Sequence, residues 1–109
     1  MIVDDDELEN ALEQWADAVE GWKEDADKAA RLDAHFKAWC AATKKVALLS
    51  GSSAAKAEIE LMADPEWHEK LLIVNEQNIV VENWKKKLRI AEAAFEAERS
   101  RQATLRQVR

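Results

Sequence analysis

The stretch from Leu8 to Ala30, "LENALEQWADAVEGWKEDADKAA", decides the fold. Leu8, Leu12, Trp15, Val19, Trp22, Ala26 and Ala29 recur at steps of four and three, the spacing that holds one apolar stripe along one face of a supercoiled helix. Strict continuation of that stripe would bury the Asp33 carboxylate. The pattern therefore predicts a phase slip and a local distortion near Asp33, with the seam resuming at Phe36, Trp39, Thr43 and Val46. Asp4, Asp5, Asp6 and Glu7 suit the positive end of the helix dipole, and Ser50-Gly51 suits its stop, because glycine enters the left-handed conformation without a Cβ penalty.

Working outward, Ser52 or Ser53 opens a short second helix that ends near Met62 or Ala63. In "MADPEW", Asp64 is the N-cap of a third helix, Pro65 fits the first helical position where no amide donor is needed, and Glu66 favours the dipole. Val74, Val81, Trp84, Leu88, Ala91 and Phe95 then continue the heptad spacing. The expectation is one all-α domain over residues 1–109, with helices over about 4–49, 53–63 and 65–104. The two long helices, each spanning roughly 60 to 70 Å at 1.5 Å per residue, would form a long antiparallel, coiled-coil-like hairpin with a short bridging helix.

Composition agrees with that class. In 109 residues, two glycines and one proline leave little punctuation for strands and tight turns. The lone Cys40 excludes an internal disulfide and suits a reducing cytoplasm, and the acidic start is the opposite of a secretion signal's basic leader. No apolar run reaches the roughly 20 residues of a membrane span, so a cytoplasmic, membrane-free protein is expected.

The segment "LLIVNEQNIVV" carries more apolar surface than a two-helix pair hides. Leu71, Leu72, Ile73, Val74, Ile79, Val80 and Val81 point around most of the helix. Either a third helix of the same chain or a second copy must cover it. The self-association reading makes Leu71, Val74, Val81, Trp84 and Leu88 the oligomer interface, with Asn75 and Asn78 available to set register.

Charge is unevenly distributed. The net charge of −6 hides a basic C-terminal end: residues 1–55 hold 12 acids and 6 bases, whereas residues 85–109 hold 8 bases and 3 acids, a net of +5. The stretch "VENWKKKLRI" assigns phosphate contacts to Lys85, Lys86 and Arg89, joined by Arg99 and Arg101, while Trp84 belongs to the seam rather than to a base-stacking platform. The alternative is a solvated face, because Glu82 with Lys86 and Arg89 with Glu92 have intrahelical pairing distances. His35 and His68 have no Glu three residues before them, and there is no Cys pair and no glycine-rich phosphate loop. No enzyme activity, metal or cofactor is expected.

Three motifs carry a family resemblance. "KKVAL" at Lys44 to Leu48, the helix-breaking "ADPE" at Ala63 to Glu66 and the ending that runs from "AFE" to "ATLR" look like the UvsY-like recombination mediators of tailed phages, over roughly residues 36 to 107. The resemblance implies a ring-like homo-oligomer that binds single-stranded DNA with little sequence preference and assists a recombinase on DNA covered by single-strand-binding protein. Where family members carry further basic residues after "KKVAL", this chain has Leu49-Ser50-Gly51-Ser52. The DNA contacts that carry over are therefore Lys44, Lys45 and Lys56. Two other readings suit a small acidic helical chain: a phage inhibitor that binds a host defence protein through its acidic face, and a structural coiled-coil adaptor.

Overall fold

A computed structural model describes the backbone of residues 3–108 and the side chains of residues 6–107. The side chains of Asp4 and Asp5, assigned above to the helix dipole, and the terminal Arg109 lie outside the described residues. Three helices follow one another, α1 (Val3–Leu49), α2 (Ala54–Ala63) and α3 (Pro65–Val108), with no strand among the described residues. The architecture is an all-α antiparallel hairpin with a short bridging helix.

Each boundary has a local cause. Gly51 takes φ 97° and donates its amide to Leu48 O at 3.1 Å, and Ser52 donates to Ala47 O at 3.1 Å, so two of α1's last carbonyls find partners. Ser53 caps α2 in extended geometry, its hydroxyl accepting from the Lys56 amide at 3.2 Å. Asp64 then acts twice. Its amide closes α2 on Leu61 O at 3.1 Å, and its Oδ1 accepts from the Glu66 amide at 2.8 Å to open α3.

The contacts divide into two compact units, residues 1–25 with 80–109 and residues 26–79. In the first, Glu7 meets Arg101, Trp15 meets Phe95 at 5.3 Å between ring centroids, and Asp25 meets Trp84, so the two helical segments run antiparallel. In the second, Phe36 lies 6.4 Å from Trp67, the Lys70 ammonium sits 5.5 Å from the Trp39 ring, and Lys44 reaches Glu58 of α2 at 3.2 Å. Ala57, Leu61 and Val74 are its buried apolar residues apart from Ala29.

The seam of α1 differs from the expected stripe. Leu12 and Val46, both placed in it above, are 49% and 65% exposed. A covered series runs through Leu8, Ala11, Trp15, Ala18, Trp22, Asp25, Ala29, Leu32, Phe36 and Trp39 at alternating steps of three and four, with Val19, Ala26 and Asp33 half-buried beside it. In that register nothing slips at Asp33. The helix runs through it unbroken, and the Asp33 carboxylate holds Lys37 at 2.8 Å; that hydrogen bond, with the attraction between the charges, raises the Lys37 ammonium above its ordinary 10.5. The physical reason is size. Alanines at positions 11, 18 and 29 alternate in the seam with Trp15, Trp22, Leu32, Phe36 and Trp39, so small residues leave room for large ones, and Leu12 is left outside. On α3, Trp67, Val74, Gln77, Val81, Trp84, Leu88, Ala91, Phe95, Glu98 and Gln102 are covered, again at heptad steps.

Candidate nucleic-acid interface

The residues singled out for phosphate contact fall in both units. Lys44, Lys45 and Lys56 lie in the second: Lys44 is paired with Glu58, Lys56 with Glu60 at 3.9 Å, and Lys45 is exposed with no ion pair among the described residues. Lys85, Lys86, Arg89, Arg99 and Arg101 lie on α3 in the first. There Lys85 holds Glu82 at 3.0 Å, Arg99 holds Glu96 at 2.7 Å, and Arg101 bonds both Glu98 and Glu7. Lys86 and Arg89 are exposed and make no ion pair among the described residues. They stand one turn apart, away from the covered positions Trp84, Leu88 and Ala91.

The ion pairs do not close the remaining cations to a ligand. The pairs of Lys56, Lys85 and Arg99 are exposed, and such pairs contribute about 0–1 kcal/mol, so a phosphate can replace a glutamate there at small cost. The Arg101 contact with Glu7 is different in kind, because it ties α3 to α1 across the hairpin.

The two helical segments of this unit are opposite in charge. Residues 1–25 hold 10 acids and 1 base, whereas residues 80–109 hold 4 acids and 8 bases. On α1, the carboxylates of Glu9, Glu13, Asp17 and Glu24 are exposed and make no ion pair among the described residues. The hairpin thus presents an anionic outer face on α1 and a cationic one on α3.

Trp84 is fixed in the seam by three neighbours. Its Nε1 donates to Asp25 Oδ2, the Lys87 ammonium lies 4.5 Å from its ring centroid, and a Cβ added at Gly21 would fall 2.3 Å from its ring. Gly21 sits mid-helix, where glycine costs up to about 1 kcal/mol relative to alanine; here the missing Cβ makes room for the indole. Sequence reasoning placed Trp84 in the seam but missed Gly21 and Asp25. A glycine directly before the seam tryptophan Trp22, in an otherwise unbroken helix, is the available signal. The other polar exception is Trp22, whose Nε1 is buried without a hydrogen-bond partner.

The residues assigned to an oligomer interface lie on or beside the same intramolecular seam. Val74 is buried, and Leu71, Val81, Trp84 and Leu88 are half-buried. The apolar side chains left open on that segment are Leu72, Ile73 and Ile79, at 58%, 50% and 60% exposure, with Val80 beyond them.

Among the described residues no group of three His, Cys, Asp or Glu side chains could hold a metal ion, and no helix is long and apolar enough to cross a membrane. His35 is exposed, His68 stacks edge-on against Trp67 at 4.9 Å, and Cys40 is half-buried. No protein-family model, curated protein or solved structure matches the chain.

Proposed function

We propose that this protein is a self-associating recombination accessory of phage type that grips single-stranded DNA through the outer face of α3 and helps a recombinase displace or share the strand with single-strand-binding protein. The observation that carries the reading is the pair Lys86 and Arg89, exposed and without a carboxylate partner among the described residues, on a segment with twice as many bases as acids. Lys85 and Arg99 extend the same cationic face once their exposed glutamates yield. Lys44, Lys45 and Lys56 carry the second set, on the "KKVAL" resemblance. Nothing in this arrangement reads base edges, so the contact is to backbone phosphate and tolerant of sequence.

Fluorescence anisotropy of a labelled oligonucleotide across a salt series tests it. Affinity should fall as salt rises, and Lys86→Glu with Arg89→Glu should lower the salt slope by about two, one per lost phosphate contact, for any sequence. Salt-independent binding, or an unaffected double variant, contradicts the phosphate grip.

The anionic face of α1 supports a second reading, an inhibitor or adaptor that meets a basic protein through Glu9, Glu13, Asp17 and Glu24. That reading expects no saturable oligonucleotide binding even at low salt.

A further inference from the structure

One side of the second unit has the chemistry of an interface. Leu32, His35, Phe36, Lys70, Ile73 and Val74 line a groove of about 210 Å³ between α1 and α3, and Lys28 and Arg31 line a second groove beside Leu32 and His35. Ile73 is half exposed at its edge, although an isoleucine on an outer helix position gains nothing from water. Burial elsewhere does not compensate. Among the described residues the buried apolar set is Ala18, Ala29, Ala57, Leu61 and Val74, and no large side chain is fully buried.

The rims of this side carry opposite charge. The α1 rim presents Lys28 and Arg31; α3 presents Glu69 and Glu76, one turn to either side of Ile73, and Glu66 two turns before it. Lys28, Glu66, Glu69 and Glu76 make no ion pair among the described residues, and Arg31 has only its exposed pair with Asp27. Over the whole segments, residues 26–49 hold 5 bases and 2 acids and residues 65–79 hold 3 acids and 1 base.

We infer that a second copy of this chain covers that side, related by a two-fold axis, so that α1 of each copy packs against α3 of the other and the four helical segments close over Leu32, Phe36 and Ile73. This rests on the self-association in the reading above but not on DNA binding, and it names the face. A two-fold arrangement brings each cationic rim onto an anionic one twice, whereas packing α1 on α1 would oppose like charges.

Sedimentation velocity of the full chain without oligonucleotide tests the face. The wild type should sediment as an oligomer at micromolar concentration. Ile73→Asp should raise the dissociation constant about 100-fold or more while the helical circular dichroism is kept, and Ile59→Asp, exposed on α2 away from the groove, should leave it unchanged. Lys28→Glu with Arg31→Glu, and separately Glu69→Lys with Glu76→Lys, should each weaken self-association. Mixing those two variants should restore a dimer, because every rim then faces its opposite. A monomeric wild type overturns both this face and the self-association in the functional reading. An oligomer indifferent to Ile73→Asp, or charge variants that fail to recombine, overturns the face alone, and oligonucleotide anisotropy remains the separate test of the DNA reading.

Discussion

Each unit pairs its helical segments at heptad positions, but different forces specify the two. In residues 1–25 with 80–109, the helical segments are opposite in charge, and the fixed point is polar: Trp84 seated on Gly21 and hydrogen-bonded to Asp25, with Arg101 reaching Glu7. In residues 26–79, a third element is present, Ala57 and Leu61 of α2 are buried, and the exposed remainder includes Leu72, Ile73 and Ile79. A heptad pattern alone would allow the helices to slide by whole repeats. The polar fixed point penalises such slips in the first unit, and the docked α2 does so in the second.

The contrast sharpens under substitution. Gly21→Val should have the largest effect, about 3 kcal/mol lost in urea unfolding, because the new side chain occupies the Trp84 site. The same change in a Trp84→Ala background should cost under about 1 kcal/mol, since the clash is gone. Trp84→Phe should cost about 1.5 kcal/mol by removing the donor to Asp25. In the second unit, Asp64→Ala should lower stability by about 1 kcal/mol through loss of the cap on Glu66, read as a lower melting temperature. Trp22→Phe should be the mildest, within about 0.5 kcal/mol of wild type, because the lost packing is offset by removal of a buried donor that has no partner. A loss above about 2 kcal/mol there would mean that the indole nitrogen is satisfied.

Much of the fold is legible in the sequence because its boundaries are chemical. Gly51, Ser53 and Asp64-Pro65 each leave one plausible backbone conformation, and the helices end where they stand. The seam of α1 is harder to read. Leu12 looks more like core than Ala11, and choosing it creates a phase slip at Asp33 that the register through Ala29, Leu32 and Phe36 removes, whereas Val19 is half-buried as the expected stripe has it. The difference has a physical origin: apolar size does not measure burial, and in this seam alanines alternate with large side chains. The cations proposed for phosphate contact are legible as a charge run, but their pairing is not, because Glu82, Glu96 and Glu98 hold Lys85, Arg99 and Arg101 at i,i+3 spacing and leave Lys86 and Arg89 without an ion pair among the described residues.

The central claim is that the two regions divide the work, the first presenting the main phosphate-binding cations, Lys86 and Arg89, and the second the surface between copies, with Lys44, Lys45 and Lys56 as a lesser set of phosphate contacts. Sedimentation velocity of wild type, Lys86→Glu with Arg89→Glu, and Ile73→Asp, each with and without a labelled single-stranded oligonucleotide, tests it most directly. The account predicts that the charge variant keeps the wild-type mass and loses the oligonucleotide, while Ile73→Asp falls to a lower mass and still binds it in a salt-dependent way, at the lower apparent affinity that loss of multivalency brings. A charge variant that dissociates, or an Ile73 variant that keeps its mass or no longer binds at low salt, would contradict it.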